Sequence, residues 1–153
     1  MSPGKKESAY LHLPTYTAGL LYHAGTFVSV GLFFPLLLNA HIEGFLLWSV
    51  TGILAVSGLS GIGILTKRMV LPKLRGLSNL DDYVSNVLVT LLQISTLVML
   101  VLGAFAPFYF VSASLLLLYL PLGKLKHALY FFAARYHLGL FYGWRGVWPL
   151  KKS

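Results

Sequence analysis

Four long apolar stretches, separated by short polar or basic segments, set the pattern of this chain. They cover about residues 16–38, 44–66 and 82–105, with a last run that starts near Pro107, passes through His127 and extends to about 136. A bilayer core of ~30 Å takes about 20 helical residues at ~1.5 Å each, so every stretch is long enough to cross it. Gly25, Gly31 and Pro35 fall inside the first stretch, where membrane helices tolerate them. The expectation is an all-α integral membrane protein: one domain over 1–153, built as a four-transmembrane-helix bundle. A tail over 137–153 carries Trp144, Arg145 and Trp148, which suits an interfacial anchor or a docking strip for a soluble partner.

Polar positions inside the apolar runs indicate which faces look inward. Asn86, Thr90 and Gln93 recur at i, i+4 and i+7 of the third run and so share one helix face, which is costly to expose to lipid. The second run is rich in small residues, including Ser57-x-x-x-Gly61. Such a spacing lets a neighbouring backbone, or a flat porphyrin, approach closely. Ser78-x-x-Asp81 before the third run has the form of a capping box.

The twelve Lys and Arg residues then fix an orientation. Lys5 and Lys6 precede the first helix; Lys67, Arg68, Lys73 and Arg75 lie between the second and third. Lys124, Lys126, Arg135, Arg145, Lys151 and Lys152 follow the main span of the fourth. In a four-span bundle all twelve lie on one side. The opposite loops, Asn39 to Glu43 and Ala104 to Ala106, hold none. The positive-inside rule places both termini in the cytoplasm and the protein in the inner, cytoplasmic membrane.

Composition agrees with a membrane class. The chain is 57% apolar and 10% charged, against about 25% charged in an ordinary soluble domain. The net charge of +8 arises in blocks flanking the apolar runs, which suits the membrane surface rather than nucleic acid. There is no cysteine, which excludes disulfides, C-x-x-C-H haem attachment and an iron–sulfur cluster ligated by this chain. The polar start and the length of the first apolar run argue against a cleavable signal peptide. No phosphate-binding Gly-rich loop, H-E-x-x-H or hydrolytic triad is present among four acidic residues.

The histidines carry the candidate chemistry. His23 lies early in the first helix and His127 late in the fourth. In antiparallel helices both fall in the inner half of the membrane, where two imidazoles can hold the iron of one b-type haem. The bland alternatives are an imidazole bonded to a neighbouring helix for His23 and an interfacial imidazole for His127. Arg75, Lys126 and Arg135 are candidate partners for the haem propionates. His41 is 18 residues from His23, or ~27 Å along a helix, so the two cannot share an iron. His41, with Glu43 and Gln93, is a candidate quinone or proton site. His12 and His137 near the inner surface form a second conceivable pair.

These residues resemble the cytochrome b (gamma) subunit of membrane-bound respiratory nitrate reductase and related membrane subunits of heterodisulfide reductase-like complexes. Leu21-Tyr-His23-Ala-Gly looks like the family's haem helix. Gly63 to Arg68 with Pro72 to Asp81 looks like its basic central loop, and Gln93 falls where a glutamine is common. Leu120-Pro-Leu-Gly-Lys-Leu-Lys-His127 looks like its closing motif. The nitrate reductase members carry an additional N-terminal helix not matched here. They also bind a second haem, whose ligands would fall near Phe33 and Tyr109, and neither can replace histidine. The resemblance therefore implies one haem b, quinol or quinone as substrate, and an iron–sulfur partner subunit on the cytoplasmic side. The expected role is electron transfer within an oxidoreductase complex whose terminal chemistry lies in further catalytic subunits. The rival readings are a haem-free membrane anchor that tethers a soluble oxidoreductase, and a small transporter.

Overall fold

A computed structural model describes residues 13–103 and 105–143. Among these residues the secondary structure is entirely helical: α1 (Leu13–Gly31), α2 (Phe33–Leu37), α3 (Gly44–Val70), α4 (Pro72–Gly76), α5 (Leu80–Leu102), α6 (Ala106–Tyr119) and α7 (Lys126–Gly143). Three segments are long and apolar enough to cross a membrane: Leu13–Leu37, Gly44–Val70 and Leu80–Leu102.

The helix ends follow local chemistry. Pro35 has no N–H for the Gly31 carbonyl, and the first span is interrupted there. Leu32 nevertheless keeps a helical backbone and accepts from the Leu36 amide at 3.0 Å, so α1 and α2 run on as one span. Asn39 ends it with φ 56, a left-handed conformation that asparagine tolerates. α3 extends to Val70, four residues past the expected 66, and stops before Pro72. α5 closes on Gly103 at φ 60, which suits a residue without a Cβ.

The start of α5 differs from the expected capping box by one residue. Asn79 is the N-cap, and its amide donates to Asp82 Oδ2 at 2.9 Å. Ser78 Oγ instead donates backward to the Leu74 carbonyl at 2.7 Å. Asp81 is thereby released from capping and bonds to another element.

The helix expected over 107–136 is divided in two. α6 has 14 residues, about 21 Å, less than a bilayer core by itself. The break over 120–125 contains Pro121, which cannot donate to the helix ladder, and Gly123, a poor helix former.

α1 packs on α3, α3 on α5, and α5 on α6, with a lesser contact between α1 and α5. Leu36, Val89, Leu92, Tyr109, Ala113 and Leu116 form the apolar core between α2, α5 and α6, and Leu125 packs against it from the break. Apart from Val50 and Leu54, the remaining buried side chains are polar: Ser29, Thr51, Ser57, Asn86, Thr90, Gln93, Ser95, Thr96 and Ser112. Large apolar residues such as Phe27, Phe45, Trp48, Leu59 and Val101 point outward. That inversion suits lipid as the surrounding solvent, where packing and interhelical hydrogen bonds replace burial as the assembling force. α7 is exposed along most of its length and packs extensively against no other helix.

Candidate functional site

Two polar assemblies organise the bundle, one inside it and one at its basic end. The internal one starts from a close approach. A Cβ on Gly25 would overlap the Ser57 hydroxyl, and one on Gly61 would stand 2.6 Å from Thr90 Oγ1 and against the Tyr22 ring. The small-xxx-small face of α3 is therefore filled by α1 and α5 side chains rather than open to a porphyrin.

At this crossing Gln93 is fully buried. Its Nε2 donates to Thr26 Oγ1 at 3.0 Å and to the Tyr22 carbonyl at 3.2 Å. The Ser57 hydroxyl lies within reach of Gln93 Oε1 at 2.9 Å and of the same Tyr22 carbonyl at 3.1 Å. Thr26 Oγ1 also donates to that carbonyl, at 2.7 Å. The Tyr22 hydroxyl donates to the Asn86 carbonyl at 3.0 Å and lies 3.2 Å from Thr90 Oγ1. On the expected inward face, Thr90 and Gln93 are thus met by α1 and α3, and Asn86 Oδ1 accepts from Thr90 Oγ1 at 3.3 Å within α5. Tyr22, next to His23 in sequence, is the hub that periodicity alone did not reveal.

The second assembly gathers the start of α1, the end of α3, the start of α5 and the α6–α7 break. Lys67 Nζ contacts Thr15 Oγ1. Asp82 pairs with Arg68 at 3.2 Å and with Lys124 at 2.7 Å. Asp81 receives the Tyr119 hydroxyl on Oδ1 and the Lys124 backbone amide on Oδ2 at 2.7 Å. Gly123 permits this, since a Cβ there would stand 2.6 Å from Asp81 Oδ1. The two adjacent acids hold the helix break against α5.

The candidate haem ligands stand at the edges of these assemblies. His23 is exposed on α1, its ring tilted beside that of Tyr22 with centroids 6.3 Å apart. Gly19, one turn before it, faces open space. His127 is exposed at the start of α7, and its Nδ1 bonds the Lys124 carbonyl. With that nitrogen as the donor, Nε2 is left as the ligating atom, the arrangement usual for metal-bound imidazoles. The Tyr22 carbonyl, in the peptide shared with His23, is bonded by Gln93, whereas His127 adjoins the Asp81 end. Along α5 Gln93 and Asp81 are 12 residues apart, roughly 18 Å.

The other candidates are dispersed. Arg75 is exposed and lines a shallow depression with Met69, Ser78 and Tyr83. Lys126 and Arg135 are exposed on α7, and the Arg135 guanidinium stands 5.6 Å from the Phe131 ring centroid. His41 and Glu43 are exposed before α3, but Gln93 bonds Ser57, some 13 residues into that helix and about 20 Å away. Gln93 therefore belongs to the internal assembly and not to a site with His41 and Glu43. His137 is exposed on α7; His12, Trp144, Arg145 and Trp148 lie outside the described residues.

His23 and His127 are accessible imidazoles, the residue type that ligates haem iron, but they stand at different levels on helices without extensive contact, so the structure does not bring them together. Among the described residues no group of three or more His, Asp or Glu side chains forms a cage for a bare metal ion. Phe33 and Tyr109 both pack against a third ring. Phe110 stacks edge-on with Phe33 at 6.5 Å and with Tyr109 at 5.1 Å.

Comparison with protein-family models, with curated proteins and with solved structures gives no match for this chain.

Proposed function

We propose that this chain is the haem b subunit of a membrane oxidoreductase, carrying electrons between the quinone pool and an iron–sulfur subunit on the cytoplasmic side. His23 and His127 would hold the iron, and Arg75, Lys126 and Arg135 would offset the propionate charge. Bound there, the haem would supply one-electron transfer at a potential set by its ligands, burial and nearby charge. The chain's own part is to present the imidazoles, exclude water with the bundle and offer a basic face to the partner. On this reading a fourth span is made by α6 together with the break, and both termini are cytoplasmic.

The observation that carries this reading is the His127 ring, whose Nδ1 is taken by the Lys124 carbonyl. A histidine so held keeps Nε2 for a ligand. Arg68, Lys67 and Lys124 are held together at the same end, which supports a basic docking face. Joint ligation with His23 would bring α7 against α1, and α7 is exposed over 129–140.

A reduced-minus-oxidised spectrum of the purified protein tests this. Bands of b type, one haem per chain, and their loss in both His23→Ala and His127→Ala are expected. A spectrum without such bands would leave a haem-free anchor as the function. Full haem retention in either variant would remove that histidine from the ligand pair.

A further inference from the structure

We infer that Asp81 positions the His127 imidazole, acting through the peptide groups flanking Lys124. The path is short. Asp81 Oδ2 accepts from the Lys124 amide at 2.7 Å. The Lys124 carbonyl accepts from His127 Nδ1, and also from the His127 amide at 3.2 Å. One residue thus gives its N–H to a carboxylate and its C=O to the imidazole. The second acceptor oxygen of Asp81 is taken by the Tyr119 hydroxyl and lies 3.5 Å from Ser85 Oγ. The carboxylate is therefore oriented from α5, α6 and the break at once.

A carboxylate bound to an amide makes the stronger, charge-assisted kind of hydrogen bond and fixes the turn that carries Lys124. The Lys124 N–H and C=O belong to different peptide groups, so Asp81 acts on the ring by fixing the turn that aims this carbonyl, and the carbonyl so aimed favours the Nδ1–H tautomer of His127. Asp82 makes an internal control. It is adjacent and bears the same charge, but it grips Lys124 by Nζ and not by the amide. The significance of the positioning for an iron ligand rests on the haem reading above, whereas the orientation of the ring does not.

The test uses full-length protein with 15N-labelled histidine in lipid nanodiscs, and the tautomer of His127 is read by two-bond nitrogen–proton correlations. In the unaltered protein His127 is expected as the Nδ1–H tautomer. Asp81→Asn should lose this preference, and so should Gly123→Ala, whose methyl group would crowd the Tyr119 ring and Asp81 Oδ1 together while keeping the charge. Asp82→Asn and Lys124→Ala should retain it. In haem-loaded protein Asp81→Asn should raise the midpoint potential more than Asp82→Asn, because only the former weakens the bond that makes His127 a stronger donor. An unchanged His127 tautomer in Asp81→Asn, or an equal change in Asp82→Asn, would overturn the inference; equal potential shifts with the tautomer altered only in Asp81→Asn would remove the haem ligation and leave the positioning. If His127→Ala keeps its haem while Asp81→Asn still alters the tautomer, the ligand assignment fails and the positioning stands.

Discussion

Gly25 and Ser57 meet so closely across the α1–α3 crossing that a methyl group on Gly25 would overlap the Ser57 hydroxyl. Behind that contact lies Gln93, whose side chain reaches both helices. The crossing is thus set by an absent side chain on one helix and a short polar one on the other.

Substitution at that point should separate the helices. Gly25→Leu and Gly61→Leu force the crossing apart and are expected to cost more than the ~1–3 kcal/mol typical of overpacking. Gly52 and Gly63 of the same α3 face open space, so Gly52→Ala and Gly63→Ala should be nearly neutral. Reversible unfolding in mixed micelles measures the contrast, and equal effects at all four positions would refute the packing assignment.

Gln93→Leu deletes the polar link between α1, α3 and α5. Hydrogen bonds between membrane helices contribute around 1 kcal/mol, and Thr26 still bonds the Tyr22 carbonyl at 2.7 Å. The expected loss is therefore about 1–2 kcal/mol, with the haem spectrum unchanged. A larger loss would show that Ser57 and Thr26 find no other partners once the amide is gone.

Tyr109 predicts the opposite sign. It is fully buried and its hydroxyl has no hydrogen-bond partner among the described residues. An unsatisfied buried hydroxyl costs roughly 1–3 kcal/mol, and the ring packs in the apolar core. Tyr109→Phe should raise the thermal midpoint in detergent; a fall of similar size would reveal a partner for that hydroxyl.

Shared ligation requires α7 to lie near α1. Cysteines introduced at Gly19 and Tyr130 should cross-link in haem-loaded protein and do so poorly when His127→Ala is added. Efficient cross-linking that ignores His127 would separate helix docking from iron ligation.

The sidedness of the bundle can be read directly. Cysteines at Leu77 and Leu38, both exposed, lie at opposite ends of the long helices. An impermeant thiol reagent should label position 38 in intact cells and position 77 only after the membrane is opened. The reverse pattern would invert the orientation drawn from the basic residues.

The inward face of Asn86, Thr90 and Gln93 was legible because helical spacing aligns them and lipid penalises their exposure. The close-approach role of Ser57 and Gly61 was legible in kind, since small residues at that spacing admit a neighbour. Which neighbour was not legible: the space is taken by Tyr22 and Gly25, whose proximity depends on how α1 crosses α3. Gln93 grouped with His41 and Glu43 as a quinone candidate because of its inward helix face and the resemblance, which do not give its depth. Its depth, about 20 Å from them along α3, is a property of the assembled bundle. Asp81 read as a cap because Ser78 stands three residues earlier, yet Asn79 and Asp82 make the reciprocal contact that closes that turn.

By itself the sequence determined the membrane-helical class, the long apolar helices and the blocks of basic charge between them. Each of these depends on composition and spacing along one helix, which local physics resolves. The tertiary structure decided that the last apolar run breaks over 120–125 and that Asp81 holds the break in place. Pro121 and Gly123 weaken a helix wherever they occur. Only the arrival of the Asp81 carboxylate at the Lys124 amide, from a helix more than forty residues earlier, satisfies the turn that replaces it.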